Sequence, residues 1–183
     1  DRAVRPQVAL HESLDDEADN VTVQLYLTSF EVDQGTQTMT VRGSFRTWWK
    51  DWRLSYLDPW DEPGRCKGSS LHQWNWPSSE PSDLRIWRPD LYFVNLRDDL
   101  TDDVAPGSTT VSADGGVFQT RFMNAVYECS VKAAKMPFDS QTCFVEVSSY
   151  AYNYHHIVVA PSDDGGVDAS VVDGNSQWRI QKT

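Results

Sequence analysis

The 183-residue sequence has few cysteines and no long apolar run. Three cysteines are too few for a small domain held together by many disulfides, although one pair with one thiol left over fits an oxidising compartment. The run of about 20 apolar residues that a transmembrane helix needs is absent, as is the pattern of a signal peptide. We therefore expect a mature soluble segment, or a piece of a larger protein.

Basic residues are also in short supply. There are 27 acidic against 16 basic side chains, and the formal net charge is −11. Such a surface repels phosphate backbones, so we predict no nucleic-acid partner and favour cations or cationic ligands. The sequence has no Gly-x-Ser-x-Gly, no His-Glu-x-x-His and no phosphate-binding glycine loop. We predict that the chain is not an enzyme and needs no cofactor.

The apolar residues alternate with a period of two. Val21, Val23, Leu25 and Leu27 describe a strand with one buried face, and a turn at 33–36 leads into a second strand, so residues 21–52 are predicted to form a hairpin. Turn-rich loops are expected at 58–82 and 161–176, and a short helix near 7–17. This pattern predicts one all-β domain, a sandwich or a barrel. Further strands are predicted at 90–96, 116–132, 142–150, 156–160 and 177–181.

Cys129 and Cys143 enclose thirteen residues with Met136-Pro137-Phe138-Asp139 at the centre. Proline fixes one φ angle and its preceding peptide bond is the kind that adopts cis, which favours a tight reversal there. An apolar Phe138 in so polar a turn is expected to contact something outside the loop. By itself, the spacing is typical of a structural staple in a secreted domain.

Three further motifs accompany this segment, in order along the chain. They are Trp49-Lys-Asp51-Trp-Arg53-Leu54, Trp87-Arg-Pro89-Asp90 with its continuation to Asn95, and Asp114-Gly-Gly-Val117. Together the four motifs resemble the extracellular ligand-binding domain of the Cys-loop (pentameric ligand-gated) receptors, over nearly the whole of residues 1–183. The resemblance implies an immunoglobulin-like β-sandwich and a Cys129–Cys143 disulfide. Cys66 would then be a free or intermolecular thiol.

The resemblance also implies structural roles. Trp49 and Trp87 are expected to anchor the core. Charged groups near a core need partners, so Asp51, Arg53 and Asp90 are expected to form a polar network beside Pro89. The Met136-Pro137-Phe138-Asp139 tip corresponds to the loop that couples this domain to a membrane domain, which the sequence does not contain.

In the family, ligands bind at the junction of two subunits, and the principal face supplies aromatic residues. Tyr92 takes a position used by GABA-type receptors, and Val94 replaces a tyrosine of acetylcholine-type receptors. Tyr150 and Tyr152 lie in a Ser-Ser-Tyr-Ala-Tyr run that resembles the Ser-Tyr-Gly-Tyr of GABA-type subunits. An aromatic ring face attracts an ammonium group. The alternative is that these tyrosines cap the ends of strands.

The complementary face would contain Ser44, Arg46, Gln119 and Arg121. Arg46 matches the arginine that GABA-type receptors direct at a ligand carboxylate, for which guanidinium geometry is well suited. Gln119 and Arg121 lie on the strand before Cys129, where a shift of one residue would exchange the two faces of the strand. The alternative is that both arginines are solvated.

The resemblance implies a pentamer of identical subunits that binds a small amine or amino acid, with GABA-like geometry slightly favoured. It would lie on the extracellular face of the plasma membrane and contact the membrane only through transmembrane segments absent from the sequence. Two alternatives stay open. One is a secreted pentameric binding protein without a pore, and the other is a tryptophan-rich carbohydrate-binding sandwich.

Several features depart from the family or stand apart from it. The family's last hairpin, which carries a capping loop, is not in the sequence, and its loss would weaken ligand capture. The segment 60–82 is longer than expected and suggests an insertion or a subunit contact. Asp98 and Asp99 form an acidic cluster that could concentrate cations or bind Ca²⁺ weakly, or simply be solvated. Asn20-Val-Thr is a glycosylation sequon.

Overall fold

The structure is a computed structural model that describes residues 5–6, 18–55, 72–76, 86–101, 107–132, 139–175 and 177–181. Within these residues the regular elements are strands, apart from a 3-10 helix at Trp52–Leu54, which confirms the all-β prediction. The helix predicted near 7–17, Cys66 and the tip residues Met136, Pro137 and Phe138 lie outside the described residues. The strands are β1 Asp19–Asp33, β2 Thr38–Lys50, β3 His72–Trp76, β4 Leu91–Phe93, β5 Leu96–Asp99, β6 Gly107–Val111, β7 Gly116–Glu128, β8 Val147–Ser149, β9 Ile157–Pro161 and β10 Val167–Asp168.

Two sheets form a sandwich-like fold. The larger has eight strands in the order β10-β1-β2-β7-β6-β3, with β5 added to β7 and β9 to β1. The smaller consists of β4 and β8. The predicted hairpin is confirmed as the antiparallel pair β1–β2, whereas β9 and β10 run parallel to β1. The large sheet is therefore mixed, whereas the small sheet is an antiparallel pair.

Aromatic residues join the two sheets. Phe93 of the small sheet lies 5.0 Å from Phe45 and 5.5 Å from Tyr127, measured between ring centroids, and both contacts are edge-to-face. Trp49 and Trp87 make a similar contact at 6.3 Å and are only 4 and 3% exposed. Edge-to-face pairs are favourable because the positive ring edge meets the negative ring face. The core therefore lies between the inner faces of the sheets.

Some predicted strands are shorter than expected or divided. The segment 90–96 forms β4 and β5 with a turn at residues 94 and 95 between them. Asn95 explains the break, because its side chain accepts a hydrogen bond from Glu146 N at 3.0 Å and donates one to Phe144 O at 2.8 Å. These side-chain bonds replace strand pairing. In 142–150 only Val147–Ser149 is a strand, and in 177–181 the one bridge joins Arg179 to Gly174.

Three strands were not predicted, namely β3, β6 and β10. β3 lies inside the segment expected to be a loop and pairs with β6 from His72↔Val111 to Trp76↔Gly107. β10 lies inside the other predicted loop and pairs with β1. Both are short and begin or end among turn residues, so they lack the run of alternating apolar residues that identifies longer strands. The long loop expected at 58–82 is therefore interrupted by at least one strand.

Gly43 permits a close crossing of β1 and β2. A Cβ atom at this position would lie 2.0 Å from the carbonyl oxygen of Tyr26. The pairing of the two strands shifts register beside it, between Leu27 and Ser29. Only glycine tolerates such an approach, and the shift sets the positions of the side chains that follow on β2.

The disulfide between Cys129 and Cys143 is confirmed, with Cα atoms 5.1 Å apart. Within the loop that the disulfide closes, the Gln141 side chain accepts a hydrogen bond from Lys132 N at 2.9 Å and donates one to Lys132 O at 2.8 Å. Its amide also donates to Asp139. Gln37 in the β1–β2 turn accepts a hydrogen bond from Val131 N at 2.6 Å. The turn and the disulfide loop are thus joined directly.

A cavity of 1290 Å³ opens between the β1–β2 hairpin and the segment 177–181, with Leu25, Val41, Cys143 and Trp178 among its walls. Neither Tyr150 nor Arg46 lines it, so it is separate from the predicted ligand residues. Within the described ranges, no helix has the length and apolar character needed to cross a membrane.

Candidate functional site

Tyr92 and Tyr150 form an exposed aromatic pair on the small sheet. Tyr92 lies on β4, and Tyr150 comes directly after β8. The two strands pair antiparallel, with Tyr92 opposite Ser148. The ring centroids are 5.9 Å apart with an interplanar angle of 85°. The two residues are 42 and 83% exposed. Both of these predicted principal-face tyrosines therefore present ring surface to solvent.

Asp90 holds the loop that carries Tyr150. Its carboxylate accepts hydrogen bonds from the Ser149 hydroxyl at 2.5 Å and from Ala151 N at 2.6 Å. The Asp90 carbonyl oxygen accepts a third from Tyr150 N at 3.2 Å. Ser149 Oγ in turn accepts a hydrogen bond from Tyr152 N at 3.1 Å. Charge-assisted bonds of this kind are stronger than neutral ones, so Asp90 fixes the backbone on both sides of Tyr150.

The other two predicted principal-face residues have different surroundings. Tyr152 is half-buried and packs against the cluster that contains Trp49 and Trp87. The guanidinium of Arg5 lies 5.7 Å from the centre of its ring. Val94 is 49% exposed in the turn between β4 and β5, with its backbone N–H bonded to Glu146. Tyr152 therefore supports the loop as part of the packed interior.

Ser44 and Arg46 share the outer face of the large sheet. In the β2–β7 pairing Ser44 lies opposite Phe122 and Arg46 opposite Thr120. Directly paired residues of antiparallel strands point to the same side. Further along the same face, Trp48 and Phe118 stack with their ring centroids 4.9 Å apart. This outer face therefore combines aromatic, hydroxyl and guanidinium groups.

Gln119 and Arg121 lie on the opposite face from Ser44 and Arg46. Gln119 pairs with Thr47 and Arg121 with Phe45, both of which are buried. The structure therefore does not bring the four predicted residues together; Thr120 and Phe122 share the face of Arg46 instead. The prediction was wrong because side chains alternate between the two faces of a strand, so a register shift of one residue moves each side chain to the other face. Burial of Trp49 opposite Val117 fixes the register that sequence reasoning left open.

The guanidinium of Arg121 lies near two aromatic rings of the inner face, and the residue as a whole is exposed. It lies 5.5 Å from the ring centre of Phe45 and 5.9 Å from that of Phe93. Desolvation lowers the pKa of Arg121, and the charges of Asp99 and Tyr127 oppose this shift. Arg121 therefore belongs to the inner side of the large sheet.

The Arg46 guanidinium makes hydrogen bonds to other side chains of the same chain. Its Nη1 donates to Gln24 Oε1 at 3.0 Å and to Asp168 Oδ2 at 3.1 Å. The guanidinium also lies 4.3 Å from the ring centre of Tyr26. Hydrogen bonds from Ser170 lower the pKa of the Asp168 carboxyl, desolvation opposes the shift, and Arg46 adds to the lowering. Sequence reasoning missed Asp168 because it lies in a segment predicted to be a loop.

The aromatic pair and the Arg46 face point away from each other. Phe45 and Phe93 face inward and touch across the core. Side chains alternate along a strand, so the adjacent residues Arg46 and Tyr92 point outward from opposite sheets. One copy of the chain therefore does not place both sets of residues in the same pocket.

Asp51 and Arg53 form an ion pair directly after β2, in which Asp51 is buried and Arg53 is half-buried. Asp51 is 1% exposed, and its two carboxylate oxygens accept hydrogen bonds from Arg53 Nε and Nη2, each at 2.7 Å. These bonds raise the pKa of Arg53 against the opposing effect of desolvation. Gly115, at φ +85°, lies against Asp51, where a Cβ atom would be 2.6 Å from the Asp51 carbonyl oxygen. The backbone N–H of Asp51 donates to Gly115 O at 2.9 Å, which joins the end of β2 to the hairpin before β7. Pro89 is half-buried.

Asp98 and Asp99 are exposed on β5, and Asp99 accepts a hydrogen bond from Thr101 N at 3.0 Å. In the part of the chain that the structure describes, no group of three or more His, Cys, Asp or Glu side chains could hold a metal ion. Weak Ca²⁺ binding at this position stays a prediction. Asn20 is exposed near the start of β1, and its glycosylation also stays a prediction.

Comparison with known proteins gives one family. Residues 1–183 match the family described as "Neurotransmitter-gated ion-channel ligand binding domain". The chain is 28% identical to the gamma-aminobutyric acid receptor subunit theta of Mus musculus, over 80% of this chain and 22% of that protein. It is 28% identical to the neuronal acetylcholine receptor subunit alpha-9 of Rattus norvegicus, over 88% of this chain and 31% of the relative.

A third relative is the acetylcholine receptor subunit gamma of Homo sapiens, at 26% identity over 91% of this chain and 32% of that protein. The chain thus spans between about a fifth and a third of the length of these relatives. All three are receptor subunits rather than enzymes, as expected for a chain without catalytic motifs.

Proposed function

We propose a function for this chain, which belongs to the family of ligand-binding domains of neurotransmitter-gated ion channels. It binds a small amine or amino acid between adjacent identical subunits of a pentamer, and this binding gates an ion channel. The observation that carries the proposal is the opposite orientation of Tyr92 and Arg46 on the two outer surfaces of the sandwich. Identical chains arranged in a ring can bring one surface of each copy against the other surface of its neighbour. This head-to-tail contact closes into a ring when the rotation between copies permits.

The aromatic pair supports a cationic ligand. Tyr92 and Tyr150 are exposed, at right angles to each other, and held by Asp90 and the β4–β8 pairing. An ammonium group over an aromatic face gains about 0.5–2 kcal/mol, more when it is removed from water. The net charge of −11 attracts cations toward the protein as a whole. An amine is therefore the ligand class that this face recognises best.

The family membership supports an extracellular location, and the Cys129–Cys143 disulfide agrees with an oxidising compartment. The names of the relatives include receptors for gamma-aminobutyric acid and for acetylcholine. Both molecules carry a charged amine or ammonium group, so both serve as probes. The disulfide loop, joined to the β1–β2 turn by Gln37, is the segment through which binding would act on a membrane domain.

Substitution of one tyrosine tests the proposal. Binding of acetylcholine and of gamma-aminobutyric acid is measured by calorimetry on the assembled protein, and the current is measured in cells that express the complete polypeptide. Tyr150→Ala should weaken binding of whichever probe binds by about tenfold, since it removes a ring contact. Tyr154→Ala is the matched control, because Tyr154 is 73% exposed, lies four residues away and contacts His155 instead.

Equal affinities in wild type, Tyr150→Ala and Tyr154→Ala would contradict the proposed site. Binding without any ligand-dependent current would instead favour the pore-free binding protein as the function of this chain.

A further inference from the structure

Arg46 has the position and chemistry to bind a ligand carboxylate, yet a carboxylate of the same chain already contacts it. Asp168 Oδ2 and Gln24 Oε1 both accept hydrogen bonds from the same terminal nitrogen, at 3.1 and 3.0 Å. Tyr26 lies against the guanidinium at 4.3 Å. Arg46 and Asp168 are 28 and 26% exposed, so the pair is accessible from solvent without being fully hydrated.

The segment that carries Asp168 is attached to the sheet at several points. β10 runs parallel to β1, with Asp168 paired to Tyr26, and Leu25 N donates to Gly166 O at 2.9 Å. Gln24 Nε2 donates to Ser162 Oγ at 3.0 Å and to Gly165 O at 3.3 Å. Gln24 is thus bonded both to Arg46 and to the turn that leads into β10. The position of Asp168 is therefore set by the backbone of the fold rather than by the ion pair alone.

We propose that Asp168 occupies the place that a ligand carboxylate would take beside Arg46, so that the site selects cationic amines without a carboxylate and discriminates against zwitterionic amino acids. This inference rests on the proposed function. A ligand carboxylate at Arg46 would place two like charges around one guanidinium, or would have to displace Asp168 from it. Discrimination of this kind depends on a repulsive group as much as on an attractive one.

The remaining surroundings agree with this selection. The guanidinium charge is balanced by Asp168, while the neighbouring side chains of the same face, Ser44 and Thr120, are uncharged. Across the proposed junction, Tyr92 and Tyr150 favour an ammonium group. Such a pocket offers aromatic partners for the positive end of a ligand, while the guanidinium beside Ser44 and Thr120 is already paired with Asp168.

A matched pair of ligands tests the inference. The methyl ester of 4-aminobutyric acid replaces the carboxylate of 4-aminobutyrate with an uncharged ester that carries one extra methyl group, and acetylcholine is a third probe without a carboxylate. Affinities are measured by calorimetry on the assembled wild-type protein, on Asp168→Asn, and on the double variant Arg46→Gln with Asp168→Asn. Wild type should bind the methyl ester about fivefold more tightly than 4-aminobutyrate, the upper end of what one solvent-accessible charged contact contributes.

Asp168→Asn leaves the Arg46 charge unbalanced and should move this affinity ratio about fivefold toward 4-aminobutyrate. The double variant removes both charges and should not show that gain. The readout is the ratio of the affinities of two ligands for one preparation. Partial unfolding of a variant lowers both apparent affinities equally and therefore does not change this ratio. Asp168→Glu, which keeps the charge, should retain the wild-type preference.

The outcomes separate the two proposals. If wild type binds 4-aminobutyrate more tightly than its ester, or if Asp168→Asn leaves the ratio unchanged, the role of Asp168 is wrong while the ligand site stands. If neither wild type nor any variant binds any of the three probes, the proposed amine-binding function fails, and the inference fails with it.

Discussion

Phe45 of β2 and Phe93 of β4 meet edge-on in the core, with their ring centroids 5.0 Å apart. This contact fixes the orientation of both neighbours, because side chains alternate along a strand. Arg46 points outward from the large sheet and Tyr92 outward from the small one. A ligand that contacts both must lie between two copies of the chain, and this relationship is the basis of the proposed pocket.

The same contact predicts a loss of stability when the ring is removed. Phe45 is 4% exposed, and Phe45→Ala should lower the free energy of unfolding by about 3–5 kcal/mol, because a buried ring is replaced by a cavity. Urea denaturation followed by fluorescence measures the change. Phe144→Ala is the matched control, since Phe144 is 63% exposed and its loss should cost no more than about 0.5 kcal/mol. Similar effects of the two variants would show that Phe45 does not join the sheets.

Asp90→Asn should weaken ligand binding without touching a ligand. The Asp90 carboxylate accepts bonds from the Ser149 hydroxyl and Ala151 N, so its replacement by an amide weakens both and releases the backbone around Tyr150. Loss of charged hydrogen bonds should cost about 1.5–3 kcal/mol of stability, and part of this loss should appear as lower affinity. Affinity and unfolding are measured on the same preparation, with Asp164→Asn as a control on an exposed turn. Unchanged affinity in Asp90→Asn would show that the loop holds its shape without this carboxylate.

The disulfide predicts a third effect. Cys143→Ser opens a loop of about 15 residues and should lower the stability by roughly 3 kcal/mol, mainly through the entropy of the unfolded chain. Denaturation of the variant should match that of wild type reduced with a phosphine. A variant as stable as the oxidised wild type would mean that Gln141 and Gln37 hold the loop closed without the covalent bond.

The hairpin before β7 predicts a dependence of stability on pH. Hydrogen bonds from Ser112, then from Gly116 N and Lys50, lower the pKa of the Asp114 carboxyl to about 2 from its usual 3.8. Because the pKa is lower in the folded state, the stabilisation is complete above about pH 4 and is lost as the pH falls toward 2. Asp114→Asn should reduce the loss of stability between pH 5 and pH 2.5 that denaturation curves show for wild type. Since Asp114 is largely exposed, the effect is expected to be small. An unaltered pH dependence in the variant would contradict the stabilising role of these bonds.

The long elements could be predicted from the sequence because their apolar residues alternate over many positions. The β1–β2 hairpin and β7 have this pattern, and their core residues Val21, Val41 and Val117 are each no more than 2% exposed. The short strands β3 and β10 lack it, because pairing in the folded protein, and not their own composition, makes them strands. Local pattern therefore predicts the centre of the large sheet and not its edges.

The two halves of the candidate site differ in the same way. Tyr92 and Tyr150 could be predicted because they lie beside recognisable motifs, and the structure places them together. On the complementary face, Gln119 and Arg121 were placed one residue out of register, and Thr120 and Phe122 share the face with Arg46. Asp168 could not be predicted, because its approach to Arg46 depends on parallel pairing between segments that are far apart in the sequence.

Complementation between two defective subunits tests most directly whether the ligand pocket lies between subunits. Tyr150→Ala removes the aromatic face, and Thr120→Trp blocks the outer face beside Arg46. Each variant is expressed alone and both are expressed together, assembly is checked by particle mass, and acetylcholine and 4-aminobutyrate methyl ester are titrated. If the pocket lies between subunits, each variant alone binds more weakly than wild type, and the mixed assemblies regain sites of wild-type affinity, because some junctions pair an intact aromatic face with an intact Arg46 face. Mixed assemblies that form but bind no better than either variant alone would contradict a pocket between subunits.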